Sequence, residues 1–237
     1  MSKINLDGQT SWFISPDSQY GLSTYPIKKI TTDNFSFLTK VKVDWDKMDA
    51  NGDTNQSGIV VINGMHMGIT AFKTEKNDCW INAKIWTQKD DGSNVEFVNS
   101  IYITDLQEEL EIGFSVDVHK NETFIYCNGK TNKIKLEGNI VDYSNALLWV
   151  GASMPLGYIN SKFHHFLFGE ISYVSIIPRI FTADEFKEIF LDYKTNLINK
   201  SAVASFNFED QTPYKILDIS GNGNNLIKFD NSWMPEI

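Results

Sequence analysis

The chain has 237 residues, 42% hydrophobic, 13% aromatic and 22% charged, with 15 Gly and 6 Pro; this mixture excludes intrinsic disorder, and a chain of this length can bury roughly 70–75% of its extended surface around one core. Its 21 basic residues against 30 acidic ones give a formal charge of −9, which opposes binding to DNA, RNA or an anionic membrane surface, and no basic patch offsets it. The longest apolar run, Ala146 to Ala152 (ALLWVGA), is far short of the ~20 residues that cross a bilayer. No membrane insertion is therefore expected, and the start MSKINLDGQT holds no hydrophobic signal-peptide core.

In chain order, the first clear element is residues 35 to 45, FSFLTKVKVDW. Phe35, Phe37, Val41, Val43 and Trp45 share one parity and Ser36, Lys40, Lys42 and Asp44 the other, which predicts a half-buried strand. The loop that follows, DKMDANGDTNQS, sets Asp49, Asn51, Asp53 and Asn55 at every second residue, a spacing of oxygen donors that suits calcium. It departs from an EF-hand in the place of Gly52 and in having no Glu at the loop's end, and the same residue types make ordinary hairpin loops.

Further strands are expected at 58 to 63, 67 to 73, 80 to 87 and 95 to 103. Within CWINAKIWTQ, Trp80 and Trp86 share a parity with Asn82 and Lys84 between them. On a solvent face this would be a sugar-stacking platform, whereas core burial is the commoner fate of Trp; accessibility separates the two. Residues 111 to 119 alternate again, with Ile112, Phe114, Val116 and Val118 inward. Then Asn128-Gly129 between two strand-like runs predicts a hairpin with a type I′ turn.

Strands at 146 to 152, 168 to 177 and 202 to 208 complete the set. Between the first two lies the long segment PLGYINSKFHHF, where Tyr158, Asn160 and His164 offer an aromatic face with hydrogen-bonding neighbours, the chemistry a sugar ring needs, or else simple loop packing. His164 and His165 are adjacent, so on a strand they would point to opposite faces and could not share an ion. One helix is expected at about 182–194, with Thr182 as cap, Glu185 completing a capping box, and Phe186, Ile189, Phe190 and Tyr193 forming its apolar stripe. Many short strands and one helix predict an all-β, two-sheet antiparallel sandwich, and with no repeat or linker the chain reads as one domain, 1–237.

Four segments resemble the laminin G-like, concanavalin A-like lectin/glucanase superfamily, the two-sheet jelly roll. They are Leu6 to Pro16 (LDGQTSWFISP), resembling its opening strand; DNFSFLTKVKVDW; the hairpin FIYCNGK with the later Trp149-Val150-Gly151; and Phe168 to Phe190 (FGEISYVSIIPRIFTADEFKEIF). Ala204 to Leu226 is similar to the strand and Asp-x-Ser-Gly-Asn-Gly turn that usually opens such domains. Here it stands last, so residues 202–237 are expected to close the sandwich, an arrangement that neighbouring termini permit.

The glycoside hydrolases of this superfamily use a Glu-x-Asp-x-Glu strand. The comparable strand here, Glu170 to Val174, lacks the second and third carboxylates, and Glu109 and Glu111 read as a solvated face. No GxSxG elbow is present, Ser220 to Asn224 lacks the residues of a phosphate loop, and Cys79 and Cys127 have neither CxxC spacing nor a neighbouring His. Two reduced, packed thiols are expected and no catalytic residue is assigned. The resemblance implies a non-catalytic carbohydrate-binding module, with a glycan or polysaccharide as partner and calcium as the one cofactor the loop could hold. The alternatives are a structural jelly roll of a phage particle or surface assembly, with other protein subunits as partners and a place in the virion, and, third, a diverged glycoside hydrolase.

Overall fold

Period-two alternation lays two antiparallel sheets face to face in the computed structural model, which describes residues 3–7, 10–14, 34–49, 55–62, 67–141, 148–152, 165–192, 201–208 and 211–230. The strands are β1 (Ile4–Asp7), β2 (Thr10–Ile14), β3 (Phe35–Val43), β4 (Gln56–Ile62), β5 (Met67–Lys73), β6 (Cys79–Gln88), β7 (Asn94–Ile103), β8 (Leu110–Asp117), β9 (Glu122–Cys127), β10 (Lys130–Lys135), β11 (Asn139–Ile140), β12 (Leu148–Val150), β13 (Phe168–Ile177), β14 (Ala204–Phe206), β15 (Lys215–Ile216) and β16 (Leu226–Asp230), with one helix, α1 (Ala183–Leu191). A seven-stranded sheet runs β1-β13-β3-β8-β9-β10, with β14 on the same edge of β13 as β1. A nine-stranded sheet runs β11-β6-β5-β4-β12-β2-β16-β15, with β7 along the other edge of β6.

The core between the sheets is built from the alternating residues read in the sequence: Phe35, Phe37, Val41 and Val43 of β3 and Ile112, Phe114 and Val116 of β8 are all buried there. Two expectations change. Trp45 is buried, but β3 ends at Val43 and Trp45–Lys47 forms a 3-10 turn. The segment from Leu6 to Pro16 is not one opening strand: it holds the end of β1, in the seven-stranded sheet, and all of β2, in the nine-stranded one.

The outer face of β3 was expected in water, yet Ser36 and Lys40 are buried. Ser36 lies beneath the connection that leads into α1, Lys40 is held between Glu109 and Glu111, and α1 itself lies on this outer face of the seven-stranded sheet. Thr182 caps it with the expected box to Glu185, and Phe186, Ile189 and Phe190 turn inward onto Leu38, Tyr126 and Tyr173. The Phe186 ring stacks 5.7 Å from Tyr126 and 6.2 Å from Phe124. It sits so close to β8 that a Cβ on Gly113 would lie 2.3 Å from it.

The connection from β13 to α1 is fixed by a chain of hydrogen bonds with one consistent set of proton positions. The Phe181 N–H donates to Ser115 Oγ (3.2 Å), Ser115 Oγ donates to Ser36 Oγ (2.6 Å), and Ser36 Oγ donates to the Arg179 carbonyl (2.7 Å). Two serines beneath this connection thus satisfy two backbone groups whose burial without partners would cost about 1–3 kcal/mol each.

The hairpin forms as expected: Asn128 and Gly129 both have positive φ, 44° and 81°, between the paired residues Cys127 and Lys130. At the end of the chain, β14 extends the seven-stranded sheet while β16 pairs with β2 in the other. The Ser220 to Asn224 stretch is a turn held by Asp218, whose carboxylate accepts from the backbone N–H groups of Ser205, Ser220 and Asn224 (2.9, 2.9 and 3.0 Å).

Gly113→Ala is expected to destabilise the fold by about 1–3 kcal/mol, because Phe186 has nowhere to retreat between Tyr126 and Phe124; a urea titration giving an unchanged midpoint would overturn this seating. A second expectation concerns acid. Lys133 and Lys135 hold the Glu122 carboxyl down to about 2 from the ordinary 4.5. A folded-state value below the unfolded one gives stability that is complete above 4.5 and is lost as pH falls through about 2. Glu122→Gln should therefore flatten the fall of Tm across that window, by a small amount because both lysines are exposed to solvent screening.

Candidate functional site

In β6 the inner positions Ile81, Ala83 and Ile85 are core, so alternation turns Trp80, Asn82, Lys84 and Trp86 to the outer face of the nine-stranded sheet. Strand register then assembles four cross-strand rows: Phe72, Trp80 and Tyr102; Thr70, Asn82 and Ser100; Gly68, Lys84 and Val98; and Trp86 with Glu96. Both tryptophans are half-buried. They lie on the face turned from the core, although Trp86 also packs against the core's margin.

The first row is an aromatic platform. The Trp80 and Tyr102 rings lie 5.1 Å apart at 55°, Tyr102 is 42% exposed, and its hydroxyl donates to Asp78 Oδ1 at 3.4 Å. At the other end Glu96 Oε1 accepts from Trp86 Nε1 (3.2 Å) and pairs with Lys84 Nζ (3.3 Å). That ring is thus fixed in place, and the ammonium is balanced by a carboxylate.

Tyr102, Glu96 and Val98 were not singled out from the sequence. Their parity was readable, because Ile101 and Ile103 mark the inner face of β7; their position beside Trp80 and Trp86 depends on the register across the 89–93 turn, which alternation leaves undetermined.

Of the other residues proposed for sugar contact, Tyr158, Asn160 and His164 lie outside the described residues, as do Asn51 and Asp53 of the Asp/Asn loop. Asp49 is exposed and Asn55 half-buried, its carbonyl accepting from the Lys73 N–H at 2.8 Å. Lys73 Nζ donates to the carbonyls of Trp45 (2.9 Å) and Met48 (3.3 Å), placing a positive charge at the base of this loop. His165 turns its Nδ1 to the Gln56 carbonyl, 3.1 Å away.

The acids weighed for catalysis stand on the opposite side of the molecule, the outer face of the seven-stranded sheet, and each is held by lysine. Lys3 bridges Glu170 (3.0 Å) and Glu109 (3.5 Å), and Lys40 pairs with Glu111 at 2.8 Å. Hydrogen bonding to Glu170 raises the Lys3 ammonium above its ordinary value, against desolvation. Ser172 Oγ donates to Glu109 at 3.1 Å. This is an ion-pair network across β1, β13, β3 and β8.

Cys79 and Cys127 are both free and buried. Burial pushes the Cys127 thiol up to about 12 and raises Cys79 as well, so neither supplies thiolate near neutral pH. Iodoacetamide at pH 8 is expected to label both only after denaturation; rapid labelling of Cys127 in the folded protein would contradict this placement.

No protein-family model matches the sequence, and no curated protein matches it. Solved structures do. A protein of inferred carbohydrate binding from Bacteroides ovatus superposes with a TM-score of 0.60 at 12% identity, over 96% of this chain and 58% of that one. The heptameric SAP-like pentraxin of Limulus polyphemus gives 0.51 at 9% identity, over 94% and 95%. The fold is thus the concanavalin A-like jelly roll. The same jelly roll is found within the NanB sialidase of Streptococcus pneumoniae (K499G mutant), with a TM-score of 0.52 at 14% identity, over 78% of this chain and 27% of that one. The chain therefore spans 58% of the Bacteroides protein and about a quarter of the sialidase, and at these identities the likeness establishes the fold.

Proposed function

We propose that this jelly roll is a non-catalytic carbohydrate-binding module that takes its glycan on the outer face of the nine-stranded sheet. The observation that carries the reading is the Trp80–Tyr102 platform, two aromatic rings 5.1 Å apart on a face turned from the core, with Tyr102 42% exposed. An aromatic face exposed at this level stacks on the apolar face of a pyranose, while Asp78, Asn82 and Ser100 stand near it as hydrogen-bonding groups. The carbohydrate binding inferred for the Bacteroides ovatus protein supports the same reading. Calcium is the ion proposed for the donors Asp49, Asn51, Asp53 and Asn55.

A glycan array probed with the intact chain, with and without a calcium chelator, tests the reading. Binding to at least one glycan class is expected, weakened about tenfold by Trp80→Ala or Tyr102→Ala with Tm little changed, the worth of one good aromatic stack. Absence of binding under both conditions would sink the proposal. A symmetric oligomer by light scattering together with an empty array would instead favour the subunit of a surface or particle assembly.

A further inference from the structure

The shape of the open surface says which kind of glycan fits, an inference that rests on the carbohydrate reading above. On the outer face of the nine-stranded sheet, the direction across the strands is closed. Val61 of β4 and Trp149 of β12 lie on that face in register with Gly68, Lys84 and Val98, yet they are 0% and 5% exposed. Along β7 and at the two tryptophan ends of β6 the face stays open: Glu96, Val98 (40%) and Tyr102 (42%) are exposed, Trp80, Trp86 and Ser100 are half-exposed, and Asn82 between the tryptophans forms a buried floor at 7%. The accessible surface is thus a strip parallel to the strands.

Its two ends are aromatic. Trp80 and Trp86 are six residues apart on one face of one strand, which sets them about 20 Å apart at the ordinary strand rise. Between them lie Asn82, Lys84, Val98 and Ser100, two rows of small or polar groups. The strip carries little net charge, because Lys84 is balanced by Glu96 at 3.3 Å and Trp86 Nε1 donates to the same oxygen. An anionic sugar would have to break that pair to win the ammonium, whereas a neutral one meets hydroxyl-sized donors and acceptors already in place.

We infer that the ligand is a neutral, unbranched oligosaccharide several pyranose units long, lying along β6 and β7 with one unit on Trp80 and Tyr102 and another on Trp86. A terminal monosaccharide would use one platform and leave the other idle.

Calorimetric titration of the intact chain with cello-, malto-, manno- and xylo-oligosaccharides of increasing length up to hexasaccharides, and with sialyllactose, tests this. For one of the neutral series affinity should climb with length until both platforms are spanned. Trp80→Ala and Trp86→Ala should each weaken the longest ligand about tenfold, while the disaccharide responds to only one of them. Trp86→Phe, which keeps an aromatic face and loses the indole N–H to Glu96, should retain most of the affinity and guards against misreading a folding defect. Full affinity for a mono- or disaccharide, indifference to Trp86→Ala, or preference for sialyllactose would overturn the extended neutral ligand and leave the carbohydrate-binding reading standing. Failure of every glycan here and on the array would overturn both.

Discussion

Phe186 seated on Gly113 is the contact from which the asymmetry of this sandwich follows. A β-sheet has two faces, and a two-sheet sandwich buries one of each, leaving two outer faces to be covered or used. Here one is covered. The absence of a side chain at Gly113 lets the Phe186 ring drop to the level of the strands between Tyr126 and Phe124, and Ile189 and Phe190 follow it down onto the same cluster. Burying three such side chains is worth about 1.5–3 kcal/mol each, enough to offset much of the ordering of a nine-residue helix. The rest of that face is taken up by the serine chain under residues 179–181 and by the carboxylates of Glu109, Glu111 and Glu170 that Lys3 and Lys40 hold. The open aromatic surface is therefore on the other sheet.

That surface lies beside a strand edge, which carries its own hazard. Among the described residues β7 has one edge on β6 and the other free of strand pairing, and an unpaired edge invites association with another chain. Side chains of β10 close it: Lys130 Nζ donates to the Tyr102 carbonyl at 3.1 Å and Asn132 Nδ2 to the Ser100 carbonyl at 3.5 Å. From within, Asn99 donates to the carbonyls of Thr123 and Asn132, tying β7 to β9 and β10 across the gap between the sheets. The residues that carry Tyr102 and Ser100 on the strip thus have their backbone fixed from the other sheet, and the platform is held rigid without a further strand.

The sequence disclosed most of this fold because its signals are local. Alternation in β3 and β8, the positive-φ pair Asn128-Gly129 and the Thr182 capping box each need only neighbouring residues to act. What stayed hidden depends on contacts between distant segments. Ser36 and Lys40 read as solvent-facing because nothing within β3 announces that Arg179 will lie over the one or that Glu109 and Glu111 will close in the other. The tryptophans were recognisable as a same-face pair, but their exposure depends on what covers each part of a face: the same outer surface that leaves Tyr102 open shuts Val61 and Trp149 away. The two strands within Leu6 to Pro16 were hidden for a related reason, since a crossing between sheets changes a strand's partners and leaves its composition alone.

The contrast between the two outer faces also bears on energy. Apolar area left in water forgoes about 25 cal/mol per Å² that burial would have contributed to folding. Phe186 and its neighbours contribute that term almost in full; Tyr102 and Val98 withhold about two-fifths of it, at 42% and 40% exposed. Exposed aromatic area on a rigid, edge-protected strand keeps the same free energy in reserve for an apolar sugar face, with little conformational entropy left to lose on binding because β6, β7 and β10 already hold it. The fold can leave this area exposed because the helix supplies a compensating apolar cover on the other side.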